Sequence, residues 1–282
     1  MVEKIKKTLK IIFLLAIIST IAMYWHDQYG YYFGEYSEYP EYSAACPEYS
    51  NVAVINIHGE IVTYLTDQSS SEELASTIPD LVSSEEIVAY IDEIEADSNI
   101  EALIVEIDSY GGSPVASEEI ADALTRMTKP TIAVIREGAA SGAYLIASAV
   151  DKIYASEMSN VGSIGITMSY LDYSQQNRQD GITYQQLSSG KFKDTGDPDK
   201  VLTTEEKELL MRDIKILHEA FVKRVAENRG LDIGQVEKLA DGSMMLGMAA
   251  KENGLIDEIG NITDAQEWIR SELGIESELC VY

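Results

Sequence analysis

The chain has 282 residues and a mass of 31.2 kDa, with 45% apolar and 24% charged residues. That is enough to bury a full core and too polar for a multi-span membrane protein. Asp and Glu number 48 against 21 Lys and Arg, a net charge of −27, which excludes readers of DNA or RNA; two cysteines and three histidines (His26, His58, His218) leave little material for a disulfide scaffold or a zinc site, and no metal is expected.

Lys4, Lys6, Lys7 and Lys10 make residues 1–10 a basic, cytoplasmic flank. An apolar run follows and is closed by Tyr24 and Trp25, so residues 11–25 are expected to form one N-terminal transmembrane helix. A cleaved signal peptide is the competing reading, but His26, Asp27 and Gln28 stand where cleavage needs small residues. No Lys or Arg recurs before Arg126, so the positive-inside rule predicts a single-pass protein with its N-terminus inside and its main domain extracytoplasmic. Residues 26–50, rich in Tyr and Glu, lack periodicity and read as a tether. A translocated domain allows a Cys46–Cys280 disulfide, but nothing in the sequence brings the two together, and two unpaired thiols are the expectation preferred here.

Residues 51–282 carry the pattern of one globular domain. VAVINIH (52–58), ALIVEID (102–108), TIAVI (131–135) and KIYA read as buried strands, and ITYQQLS as a further short one. Between them Ser83 and Glu86 form a capping box for a helix whose Ile87, Ile91 and Ile94 share a face. SPVASEEIADALTRM and AASGAYLIASAV read as two more helices. A long amphipathic helix capped by Thr203 and Glu206 follows, with shorter helices near 233–252 and 263–273. The alternation predicts an α/β sheet with right-handed crossovers.

Small residues cluster at three strand ends, where α/β proteins build their sites. In DSYGGSP, Gly111 and Gly112 free the backbone amides from side-chain obstruction, as an oxyanion site requires, although a glycine pair alone is more often only a turn. In REGAASGAYLIASA, Ser141 opens a helix among glycines and alanines, reachable as a nucleophile or, taken alone, a helix cap. SSGKFKDTGDP supplies Lys191 and Lys193, either a base for such a serine or two solvated charges; His58 and His218 are poorly placed for that task.

Taken in order, IDSYGGSP, GAASGAYLIASA, VGSIGI and SGKFKD behind an N-terminal anchor resemble the signal peptide peptidase A family of membrane-bound serine proteases, over residues 52–262. The resemblance implies a ClpP/crotonase-like fold of repeated β-β-α units and a Ser/Lys dyad that cuts peptides such as remnant signal peptides, with no cofactor. It implies Ser141 as nucleophile and Lys193 as general base. It also implies an oxyanion hole from the amides of Gly111, of the Gly111–Gly112 pair, and Gly142, with Ser163 holding the lysine amine. Its single-domain relatives are similar in forming ring-shaped homo-oligomers, so Lys193 of one copy is a candidate partner for Ser141 of the next. The family commonly has Pro where this chain has Tyr110, which bears on a substrate subsite rather than on the backbone donors. The alternatives are a silent membrane scaffold of the same fold, a crotonase-type CoA-ester enzyme, which the acidity opposes, and a secreted soluble protease.

Overall fold

Valine and isoleucine run almost unbroken through the central strands because both faces of the sheet are covered. The computed structural model describes residues 50–65, 80–276 and 278–282, all within a compact unit of residues 47–282. The expected transmembrane helix and most of the tether lie outside the described residues; within them no helix is long and apolar enough to cross a membrane.

The main sheet takes the order β10 (Leu279–Val281), β1 (Val52–His58), β4 (Ala102–Ser109), β5 (Thr131–Ala140), β6 (Lys152–Ala155) and β9 (Glu258–Ile259), all parallel. β7 (Asn160–Gly162) runs beside the end of β5 and pairs antiparallel with β8 (Met244–Leu246). Ile55, Leu103, Val105 and Ile135 face helices α1 (Ser84–Ala96), α2 (Pro114–Arg126), α3 (Gly142–Ser148) and the end of α5 (Thr204–Arg229). The alternate residues Val54, Ile104, Ile132 and Val134 face α8 (Ile262–Leu273) through Ala265 and Ile269. This period-two division follows from the pleat.

Four main strands continue past a bend into a short second strand. β1 passes at Gly59 into β2 (Glu60–Val62), which pairs with β3 (Leu81–Ser83). β4 passes into Gly112, which bridges Ile61. β5 shifts register between Ile107 and Ser109, so that Ile135 and Ala139 oppose residues only two apart; its 138–140 end then pairs with β7, the continuation of β6. A helix follows each of the units ending at β3, Gly112 and Ala140.

Four sequence expectations change. ITYQQLS forms no strand: Ile182 is 56% and Leu187 98% exposed, and without a sheet face to bury them the alternation has no use. The alanines of AASGAY belong to β5, and the helix begins only at Gly142, because Ser141 is held in a non-helical conformation. The region 233–252 is two short helices, α6 (Ile233–Leu239) and α7 (Gly247–Glu252), separated by β8, which needs MML extended to pair with β7. Cys280, expected as a thiol, is disulfide-bonded; the chain's other cysteine, Cys46, lies outside the described residues.

Residues 167–203 contrast with this core. They contain no buried residue, and their one regular element is the six-residue α4 (Ser174–Gln179). We call this stretch the arm. Its anchor is Glu206, 2% exposed on the first turn of α5: Lys200 Nζ donates to it at 2.6 Å and the Thr203 amide at 2.9 Å, the second half of the capping box. Those bonds pull the Glu206 carboxyl from its ordinary 4.5 down to about 2.

Candidate active site

The site lies where β4 and β5 end. Ser109 Oγ donates to Gly59 O at 2.5 Å and accepts from the Gly111 amide at 3.1 Å, tying the turn after β4 to the end of β1. Gly111 sits at φ +99°, and a Cβ there would come within 2.8 Å of Gly142 N and 3.0 Å of Ser141 Cβ. Gly112 is equally constrained: its Cβ would lie 2.1 Å from Ile61 O. In this parallel bridge Ile61 N donates to Gly111 O at 3.1 Å and Ser113 N to Ile61 O at 2.8 Å, so the amide of Gly112 itself is directed to the other side.

That other side belongs to Ser141. Its amide donates to Gly162 O at 2.8 Å, extending the β5–β7 ladder, and its carbonyl already accepts from Tyr144 and Leu145 of α3. The strand-to-helix change is completed within one residue, which leaves Ser141 at φ 53°, ψ −125°, an unfavourable region for a side-chain-bearing residue. Gly142 follows because α2 is pressed against it: a Cβ would lie 2.1 Å from the buried Ser117 Oγ. The Gly112 and Gly142 amides have no acceptor among the described residues, and Gly112 N lies 3.7 Å from where a Gly142 Cβ would be. Tyr144 fixes α3 from below: it is fully buried, donates to Leu255 O at 2.8 Å, and burial pushes its phenol well above the ordinary range.

Ser141 opens into a cavity of about 110 Å³ between α2, α3 and α5, walled by Val115, Leu145, Ile166, Leu217 and Phe221. Arg224 closes its rim, bound to Glu118 at 2.6 Å and Asp122 at 2.5 Å; the bond to Asp122 raises its pKa further. Parallel pairing of Ala140 with Gly162 sets Ser163 alongside Ser141. Ser163 is also strained at φ 50°, with its amide on Ser243 O at 2.9 Å and its hydroxyl donated to Gly242 O at 3.0 Å.

The structure therefore brings together Ser141, Gly111, Gly112, Gly142 and Ser163. Lys193 stands apart: it is exposed on the arm, and the lining of the Ser141 cavity includes no lysine. Lys191 is paired with Glu205 at 3.5 Å and lies over the Phe192 ring, whereas the Lys193 side chain has no ion pair or hydrogen bond among the described residues. His58 and His218 do not line the cavity either; His58 Nε2 lies 3.3 Å from Glu106 Oε1, whose carboxylate also binds Arg136. Tyr110 is 55% exposed, with its ring edge against Gly138. Among the described residues no cluster of three or more His, Cys, Asp or Glu is arranged to hold a metal. Sequence reasoning missed Ser109, Ser117 and Arg224. The first two are ordinary serines until the turns fold around them; Arg224 is a rare cation whose i, i+4 acidic partners lie on another helix, α2.

A mixed α/β domain with a strained serine between a glycine-pair turn and a glycine-led helix defines a class of site in which backbone amides without an acceptor adjoin a hydroxyl. The sequence comparisons narrow that class: the model of peptidase family S49 matches residues 123–276, more than half of the chain, and the chain belongs to that family. It is 39% identical over 160 residues, 56% of its length, to a Methanocaldococcus jannaschii protein named "Putative protease", of which 51% is covered. It is 31% identical over 163 residues, 56% of its length, to "Serine protease SPPA, chloroplastic" of Arabidopsis thaliana, of which 24% is covered. The alignments thus span about half the length of the first relatives, or less. A ClpP1 mutant from Listeria monocytogenes superposes with a TM-score of 0.49 at 19% identity, covering 75% of this chain and 92% of that one, a likeness too remote to fix a shared fold.

Proposed function

We propose that the chain is a serine endopeptidase of ClpP/crotonase-like architecture, anchored in the cytoplasmic membrane by residues 11–25 with its catalytic domain outside. Its substrates on this reading are peptides at the membrane, such as remnant signal peptides, and it needs no cofactor. The observation that carries the reading is Ser141 itself, a serine kept at φ 53° beside the Gly112 and Gly142 amides. Strain of this kind persists where the surrounding structure enforces it, and it clusters at reactive residues.

In the proposed mechanism the neutral amine of Lys193 takes the Ser141 Oγ proton as Oγ bonds to the peptide carbonyl carbon. The carbonyl oxygen becomes an oxyanion held by the Gly112 and Gly142 amides. Gly111 serves the turn instead, since its own amide is given to Ser109. The C–N bond then breaks, the lysine proton passes to the leaving nitrogen, and water repeats the sequence to free the acyl group. Ser163 orients the amine through its oxygen, and the apolar cavity takes a substrate side chain.

The exposed position of Lys193 supports delivery of the base from a second copy. The arm carries four cations (Arg178, Lys191, Lys193, Lys200) and five carboxylates, nearly neutral in a chain of −27, and it exposes Leu171, Ile182, Leu187 and Phe192. In a strongly acidic molecule this is where like-charged copies repel least and where apolar surface remains to be covered. A catalytically silent scaffold is the second reading, favoured by the same separation of Lys193 from Ser141.

Cleavage of a fluorogenic peptide mixture by the 282-residue chain tests both. Ser141→Ala and Lys193→Ala are each expected to lose roughly 10⁴-fold or more of the rate, with Lys191→Ala within about twofold of wild type. Activity surviving in Ser141→Ala overturns the mechanism, and a wild type that assembles but cuts nothing favours the scaffold.

A further inference from the structure

The cavity beside Ser141 lies between the facing sides of two helices. On α2, Val115, Glu118 and Asp122 share one side at i, i+3 and i+7; on α5, Leu217, Phe221 and Arg224 do so at i, i+4 and i+7. Each side therefore passes from an apolar residue to a charged one. Val115 is 54% and Leu217 39% exposed, so the apolar end stands open to solvent, whereas the charged end is closed by Arg224.

Of the residues that line the cavity, only Glu118 and Arg224 carry charge. Arg224 Nη2 donates to Glu118 Oε1 at 2.6 Å and Nη1 to Asp122 Oδ1 at 2.5 Å. Among the described residues these are the only hydrogen bonds or ion pairs that join α2 to α5. Without the guanidinium, the cavity would be an apolar passage leading from Ser141 to carboxylates. A lysine side chain suits such a passage, because its stem lies along apolar surface while its ammonium reaches an anion. With the guanidinium in place both anions are occupied, and a second cation brought there meets like charge.

We propose that Arg224 is a specificity-determining residue: by holding Glu118 and Asp122 it reserves the cavity for an apolar side chain on the residue whose carbonyl Ser141 attacks, and keeps a basic one out. This rests on the reading of Ser141 as the nucleophile and of the cavity as the seat of a substrate side chain.

The test is kcat/KM of the 282-residue chain on matched fluorogenic peptides with leucine or lysine before the scissile bond. Wild type is expected to favour leucine by roughly 100-fold. Arg224→Ala is expected to raise cleavage after lysine about tenfold, while cleavage after leucine falls about threefold because the two helices lose their bond. Adding Glu118→Gln and Asp122→Asn is expected to remove the gain for lysine, and Arg224→Lys to keep the wild-type preference. If Arg224→Ala does not fold, Arg224→Gln is expected to shift the ratio the same way by less. A lysine-to-leucine ratio that these Arg224 variants leave unmoved overturns the proposal, as does a gain that survives the loss of both carboxylates. Ser141→Ala separates the two layers: activity surviving in it sinks the reading of the nucleophile, whereas an inactive Ser141→Ala with an unmoved ratio in Arg224→Ala removes only the role of Arg224.

Discussion

The strand ends around Ser141 and the arm around Lys193 are built on different physical principles. At Ser141 the positions are set mainly by backbone: ladder bonds from β5 to β7, the bridge from β2 to Gly112, and packing so close that Gly112, against Ile61, and Gly142, against Ser117 of α2, have no room for a methyl group. At Lys193 no residue is buried, and short backbone turns are braced by side chains, with Tyr184, Ser188, Lys200 and Thr203 binding carboxylates. A nucleophile and its oxyanion donors need fixed geometry before substrate arrives, and backbone supplies it. A group offered to another copy needs a projecting segment whose charges are already matched.

The contrast can be broken at its rigid side first. Gly112→Ala should be the most damaging, because its Cβ would lie 2.1 Å from a backbone oxygen that cannot rotate away. We expect activity to fall by about 100-fold or more as the donor is displaced, and stability by roughly 1–3 kcal/mol. Peptide cleavage and chemical denaturation measure the two effects.

Tyr144→Phe probes the same side without touching the donors. It leaves Leu255 O unsatisfied in a buried site, a loss of about 1–2 kcal/mol in denaturant unfolding. A wild-type stability would mean that α3 is held by packing alone.

The arm should respond locally and to pH. Glu206 has its pKa lowered on folding, from 4.5 to about 2, so the stabilisation it gives is complete above about pH 4.5 and disappears as pH falls toward 2. Hydrogen exchange in residues 184–206 should therefore accelerate across that window while β4 and β5 stay protected. Glu206→Gln should show faster exchange in the arm already at neutral pH, by roughly tenfold, with the core unchanged. Equal acceleration in both regions would mean that the arm is part of the core's cooperative unit.

The sequence made the strands and most helices legible, since runs such as VAVINIH and the Ile87, Ile91, Ile94 spacing report burial directly. It made Ser141 and the glycine pair legible as a set of small residues at strand ends. The resemblance pointed to Gly111 as the donor, whereas the Gly111 amide is given to Ser109; which amide is free depends on that bond and on the bridge to Ile61, neither of which periodicity encodes. ITYQQLS misled for a related reason: alternation describes one strand, and a strand also needs a partner. The arm's bracing was hidden because Tyr184, Ser188, Asp194 and Asp197 become a network only after the loop closes on itself.

The most direct test of the division between core and arm is complementation. Chains carrying Ser141→Ala and chains carrying Lys193→Ala, each inactive alone, are coexpressed, purified together and assayed for peptide cleavage. If the arm of one copy serves the serine of another, random mixing should restore up to roughly a quarter of the wild-type rate. A mixed assembly containing both chains that stays as inactive as its parents would contradict the account.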